Sequence, residues 1–346
     1  MRLFDVSRRG RTGYALVIAA WAAVLGGVPA RAQTPIKFTL DGKFEGPIAP
    51  FVVAIDKGYF KAEGLDVTID SAANPVEAIA RITSGAYDMG FADVNALIKF
   101  RDQNPGAAVK AVFMVYNKPA FSIVGRKSRG VFKPKDLEGR KLGAPQADGA
   151  YAQWPIFVNA NAIDAAKVTI VSVGFPVREP MLASGEVDAV AGYSFGSYID
   201  LKGRGVPADD INVLLMADHG VNLYGNAVLV NSKFAAEKPE AVKAFLRALV
   251  KGIKETIRSP WAAVDSVIKR NDTTKKPVEL ERLQIALDEN ILTSEVKMNG
   301  YGGIDLARFE KAIDQIGIAY TFKARPNAAE VFDASFLPAA ADRKVD

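Results

Sequence analysis

Asp56-Lys57-Gly58-Tyr59-Phe60-Lys61-Ala62-Glu63-Gly64-Leu65-Asp66-Val67 is followed about twenty residues later by Ser84-Gly85-Ala86-Tyr87-Asp88-Met89-Gly90-Phe91-Ala92-Asp93, and both read as helix, glycine stop, strand. Gly58 closes a helix running from about Pro50, because a residue without a Cβ takes the left-handed conformation that a helix end needs. Gly64 then turns the chain into Leu65 to Ile69, an extended run of alternating apolar side chains. In the second stretch Gly85 ends a helix carrying Val76, Ile79, Ala80 and Ile82, and the strand Tyr87 to Ala92 delivers Asp93 to the start of another helix. Helix and strand alternating in this way build an α/β fold, a mainly parallel sheet with helices on its faces.

Working outward, Ile36 to Leu40, Val109 to Tyr116 and Phe121 to Gly125 add strands to this first unit. The polar segment Arg126-Lys127-Ser128-Arg129-Gly130 then reads as a crossing, after which a new series of strands and helices begins. Its strands are Lys141 to Ala144, Val168 to Val173, Val187 to Ala191 and Val213 to Met216; its helices are Tyr151 to Asn161, Arg178 to Ser184 and Ser197 to Lys202. Ala227 to Val230 reads as a return strand, and Val242, Phe245, Leu246, Leu249, Val250, Ile253 and Ile257 recur at helical spacing behind it. About 314 residues lie beyond residue 32, more than one core usually supports, so two lobes are expected. The expected division is residues 33–125 and 227–346 in one lobe and 126–226 in the other, with hinge strands near Gly125 and Ala227.

Ligands of such folds bind beyond strand C-termini, in the cleft. That rule nominates Asp41, Phe44 and Glu45, then Asp93 and Asn95, Tyr116, Gln146, Asp148, Tyr151 and Trp154, Tyr193 and Ser194, and finally Tyr224 and Asn226. Among them the aromatic rings, with Phe195, suit a flat solute. Asp41, Glu45, Asp93 and Asp148 suit its amino groups.

The two opening phrases, with Val187-Asp188-Ala189-Val190 and Tyr224-Gly225-Asn226-Ala227, resemble the periplasmic solute-binding proteins of ABC importers, in the nitrate, sulfonate, taurine and thiamine-pyrimidine-precursor branch. The resemblance runs from about Ile36 to Leu337. It implies the type II periplasmic binding protein fold with a ligand cleft between lobes, a small-molecule solute, an ABC permease in the inner membrane as partner, a monomer, and neither cofactor nor enzymatic activity. Sulfonate and nitrate binders of this branch present small hydroxyl residues and backbone N–H groups at the start of the second lobe's first helix, where a helix N-terminus favours an anion. Here that segment is Gln146-Ala147-Asp148-Gly149-Ala150-Tyr151, and Asp148 either repels an anion or caps the helix. The expected solute is therefore a neutral or cationic heteroaromatic such as a pyrimidine precursor of thiamine. The alternative is a sulfonate, taurine or a small aromatic or aliphatic carboxylate.

Residues 1–32 have the three parts of a secretory signal: Arg2, Arg8, Arg9 and Arg11, an apolar run from Tyr14 to Val28, and Ala30-Arg31-Ala32. About fifteen apolar residues fall short of the ~20 that span a bilayer. Cleavage before Gln33 and a periplasmic product are expected. The formal charge of +5 falls to +1 without this leader, and no basic run interleaved with aromatics appears, so nucleic acid is not an expected partner. With no cysteine and one histidine, neither a disulfide framework nor a transition-metal site is expected. The same composition lacks what the resemblance associates with thiamine pyrimidine synthases, a histidine donor together with a cysteine-rich iron-binding motif.

One rival comes from another class. Gly192-Tyr193-Ser194-Phe195-Gly196, after a strand and before a helix, has the spacing of the serine hydrolase nucleophile elbow. His219 follows Ser194 by only 25 residues, with no room for the intervening acid, and the His-Gly-Gly type of oxyanion loop is missing. The glycine spacing of Gly220 to Gly225 resembles a phosphate loop, but Asn226 stands where lysine is required.

Overall fold

Gly58, Gly64 and Gly85 adopt φ of 72°, 76° and 78°, so the helix stops read in the two opening phrases are left-handed turns. The computed structural model describes residues 32–345, and the leader expected over residues 1–32 lies outside them apart from Ala32. The strands are β1 (Thr34–Leu40), β2 (Leu65–Ser71), β3 (Met89–Asp93), β4 (Val109–Met114), β5 (Phe121–Arg126), β6 (Lys141–Ala144), β7 (Thr169–Ser172), β8 (Ala189–Tyr193), β9 (Ile211–Leu215) and β10 (Asn226–Asn231). They form two five-stranded sheets, ordered β2-β1-β3-β10-β4 and β7-β6-β8-β5-β9.

Each sheet is parallel except for one strand. β10 runs antiparallel between β3 and β4, with Val228 opposite Phe91 and Phe113. β5 runs antiparallel between β8 and β9, with Val124 opposite Val190 and Val213. This corrects one expectation: Phe121 to Gly125, placed in the first lobe, belongs to the second sheet. The polar segment after it is a turn of that sheet rather than a crossing. Arg126 Nε and Ser128 Oγ both donate to Asp210 Oδ2, and Gly130 turns the chain at φ 75°. The chain passes between the sheets at Val115–Ala120 and returns at Val221–Gly225. Arg308 Nη2 donates to the carbonyls of Asn117 and Leu223, tying one crossing to the other.

Alternation along the first sheet divides its apolar residues between two layers. On one face Phe38 packs against Phe51 and Phe245, with ring centroids 5.2 and 5.1 Å apart, from the helices Ala49–Asp56 and Pro239–Arg258. On the other, Ala92, Ala111 and Leu229 meet Ile79, Ile82, Leu97, Phe309 and Ile313. Burial of each such large side chain contributes roughly 1.5–3 kcal/mol. The first two helices approach so closely that a Cβ on Gly252 would stand 2.2 Å from the Pro50 carbonyl oxygen.

Candidate functional site

The C-terminal ends of β1 and β3 meet the C-terminal end of β8 from the other sheet. Asp41, just past β1, accepts a hydrogen bond from Asn226 Nδ2 at 2.8 Å. Burial pushes the Asp41 carboxyl up to about 7, helped by the charge of Asp93, while Asn226 and nearby backbone amides pull the other way. Asp93 ends β3 and caps the helix Val94–Gln103, with Oδ1 accepting from the Ala96 amide at 2.7 Å. Burial raises its carboxyl to about 6 against the opposing Ala96 amide, Asn95 and Lys99. Tyr193 and Tyr116 are pushed well above the usual phenol range, first by burial and then by carboxylates: Asp41, Asp93 and Asp148 for Tyr193, Asp41 and Glu45 for Tyr116. Protein closes around Asp41 and Tyr193, yet both keep some accessible surface, so they line a crevice.

Aromatic rings cross from one sheet to the other beside these carboxyls. Phe91 and Tyr116 meet edge to face at 5.2 Å, Tyr116 meets Phe195 at 6.4 Å, Phe195 meets Tyr193 at 5.8 Å, and Tyr193 meets Phe121 at 5.8 Å. Gly149 lies flush against this wall; a Cβ there would be 3.2 Å from Phe121 and 3.6 Å from the Tyr193 hydroxyl.

Asp148 has two roles that account for its charge. Its Oδ1 accepts from the amides of Ala150 and Tyr151, and its Oδ2 accepts from Arg178 Nη1 at 2.9 Å. Arg178 Nε donates in turn to the buried Glu179, which also accepts from Ser197 Oγ. Burial still raises the Asp148 carboxyl, with Arg178 as the strongest opposing influence. Asp148 thus closes the turn that leads into the helix Trp154–Ala160, whose own N-cap is Gln153, and a neighbouring guanidinium balances its charge. Arg178 was legible only as one residue of a helix.

At the rim, the helix Ser194–Gly203 of the second sheet lies against Lys276–Ala286 and the turn after it. Ser194 Oγ donates to Glu289 at 2.9 Å, Lys202 pairs with Glu281, and Arg282 stands 3.7 Å from Glu45 and 3.6 Å from Asp200. Ser194 thus faces a carboxylate of the other lobe, while His219 packs edge-on against Phe157. Among the described residues Ala162 is the only non-glycine with positive φ, so Ser194 lacks the strained turn of a nucleophile elbow.

The remaining nominated residues divide. Asn95 is buried behind Asp93, donating to Asp93 Oδ2 at 3.0 Å and to the Tyr224 carbonyl at 2.8 Å. Glu45 is half-buried, and burial raises its carboxyl against the pull of Arg282. Phe44 packs on the first core; Tyr151 and Trp154 pack on the second, Trp154 beside Phe157. Gln146 is exposed. Tyr224 turns away from the crevice: its hydroxyl donates to Glu295 and accepts from the Asp305 amide, its ring meets Phe309, and Arg308 lies 3.9 Å over its centroid. Two surface cavities of about 620 and 600 Å³ lie away from the Asp41–Asp93 pair, one between Asp200 and Arg282, the other behind the crossing at Asn117. Neither gathers carboxyls and rings from both sheets as the crevice does.

Two mixed sheets, crossed twice by the chain and enclosing such a crevice, define a two-lobed α/β protein with the periplasmic binding protein fold. The aliphatic sulphonate binding protein SsuA of Escherichia coli superposes with a TM-score of 0.70 at 14% identity, over 86% of this chain and 96% of that one. The chain belongs to the NMT1/THI5-like family, whose model matches residues 46–263. It is 30% identical to the riboflavin-binding protein RibY of Chloroflexus aurantiacus over 221 residues, 63% of this chain and 61% of that protein. It is 31% identical to the formylaminopyrimidine-binding protein of Halalkalibacterium halodurans over 287 residues, covering 80% and 83% respectively. It is also 24% identical to a 4-amino-5-hydroxymethyl-2-methylpyrimidine phosphate synthase of Schizosaccharomyces pombe over 219 residues, 61% of this chain and 62% of that one.

Proposed function

We propose that this chain is the solute-capturing component of an ABC importer, exported to the periplasm as a monomer by a cleaved leader over residues 1–32, and that its solute is a small heteroaromatic. The observation that carries this reading is the convergence of Asp41, Asp93, Tyr116 and Tyr193 between the sheets. Carboxyls at strand ends meet ring edges there, and a flat molecule with amino groups finds both. Two relatives support the same choice, since their names specify a flavin and a formylated aminopyrimidine as ligands. The lobes close by bending at Val115–Ala120 and Val221–Gly225, because a solute touching both sheets stabilises the closed arrangement over the open one.

The binding role is favoured over a synthase role by the composition, since the chain has no cysteine and a single histidine. That histidine, His219, packs against Phe157. A sulfonate remains the second reading, because Arg178 balances Asp148 and so removes the repulsion that the sequence suggested. Native mass spectrometry of the protein purified without denaturation tests both: a co-purifying heteroaromatic is expected, and a co-purifying sulfonate or carboxylate would replace the first reading with the second.

A further inference from the structure

A guanidinium without a good hydrogen bond is buried where the two lobes meet. Arg282, on the helix Lys276–Ala286, is only 5% exposed, and its Nε, closed off from solvent, has no hydrogen-bond partner. Three carboxylates balance its charge from a distance: Glu279 Oε2 lies 3.3 Å from Nε but out of line, Asp200 Oδ1 lies 3.6 Å from Nη2, and Glu45 Oε2 lies 3.7 Å from Nη1. A guanidinium carries five N–H donors, and leaving buried donors unmet costs the folded state their lost hydration. The three acceptors differ in freedom. Glu279 is fixed, because Oε2 accepts from the Gly46 amide and Oε1 from Thr274 Oγ1, both at 2.6 Å. Among the described residues neither Glu45 nor Asp200 accepts a hydrogen bond on its carboxylate, so both are free to turn to Arg282.

These two stand on opposite sides of the moving boundary. Glu45 belongs to the same lobe as Arg282, in the loop that carries Asp41 into the crevice; Asp200 belongs to the other lobe, on the helix Ser194–Gly203. A cavity of about 620 Å³ lies beside them, lined by Asp200 and Arg204 from one lobe and by Thr274, Val278 and Arg282 from the other. Closure that takes up part of this space needs to bring Asp200 only ~0.8 Å nearer to make a charge-assisted hydrogen bond. We propose that Arg282 is a positioning residue that couples the crevice to lobe closure, shared between Glu45 and Asp200 in the arrangement described and bonded to Asp200 once the lobes close. An amino group of the solute that pairs with Glu45 releases the guanidinium to the other lobe. That last step rests on the heteroaromatic reading above; the competition between the two carboxylates does not.

Because the sequence contains no cysteine, spin labels can be placed selectively through Asp209→Cys and Asp272→Cys, at exposed positions on opposite lobes. Pulsed electron resonance on the labelled protein reads the ratio of closed to open molecules, first free of solute and then with 4-amino-5-hydroxymethyl-2-methylpyrimidine. Asp200→Asn is expected to lower that ratio about tenfold, Asp200→Glu to restore it, and Glu45→Gln to raise it before any solute is added. A merely structural ion pair would shift the melting temperature and leave the inter-lobe distances as they were. Distances unmoved by all three substitutions in both conditions, or moved in the same direction by Asp200→Asn and Glu45→Gln, would overturn the inference. Ratios that shift as expected without solute but do not respond to the pyrimidine would count against the heteroaromatic reading and leave the competition for Arg282 standing.

Discussion

At the end of β1, burial raises the Asp41 carboxyl to about 7, and this has a consequence for stability as well as binding. The unfolded carboxyl ionises near pH 4, so between about pH 4 and pH 7 the native state holds a proton that the unfolded state has lost. Native stability contributed by this group therefore declines through that window and levels off above it. Asp41→Asn lacks the titration, so its melting temperature is expected to match the wild type near pH 4.5 and to exceed it at pH 8, in solute-free protein. An equal difference at both values would show that Asp41 ionises normally. Asp41 and Asp93 were legible because position after a strand is itself a signal. The Asp148–Arg178 pair was not, since thirty residues and two elements separate partners that only the tertiary fold brings to 2.9 Å. Tyr224 was misdirected for another reason: it lies in an irregular crossing, where the two-residue alternation that aims strand side chains is lost.

Among the elements, the long helix Pro239–Arg258 shows how packing overrides propensity. Alanine normally favours a helix interior over glycine by about 1 kcal/mol. At Gly252 the added methyl would meet backbone oxygen at 2.2 Å, and backbone cannot swing aside as a side chain can. Gly252→Ala is expected to lower stability by about 1–3 kcal/mol in denaturant unfolding, the range for overpacked cores; a gain would mean that the two helices separate freely. The helix itself was legible from its apolar spacing. The sheet membership of β5 was not, because Phe121, Ile123 and Val124 are apolar in either sheet, and the conspicuous polar punctuation follows the strand instead of preceding it. The true crossing carries only the short signal Asn117-Lys118-Pro119.

For the molecule as a whole, the lobe closure proposed above would rest on contacts of unequal strength at the rim. Lys202–Glu281 is a half-exposed ion pair near the surface, of the kind that contributes about 0–1 kcal/mol. Ser194 donates to the more enclosed Glu289 carboxylate, and such charged hydrogen bonds contribute about 1.5–3 kcal/mol. Ser194→Ala is therefore expected to weaken solute affinity about tenfold or more, and Lys202→Ala by only a few-fold, with solution scattering showing a more extended average for the former. Equal effects would place the closing energy elsewhere.

The placement of β10 reaches beyond binding to the order in which the molecule can be made. β3 and β4 are not partners; β10 lies between them and contributes both sets of ladder bonds. A nascent chain that has released everything up to Gly225 thus has two sheet fragments with a missing middle, and the second body hangs from an unclosed seam. Under the export proposed above, through a narrow translocation pore, that late-arriving strand would act as a built-in delay on premature collapse. A truncated chain of residues 33–225 is accordingly expected to stay protease-sensitive, and a separately supplied peptide spanning 226–258 to restore resistance.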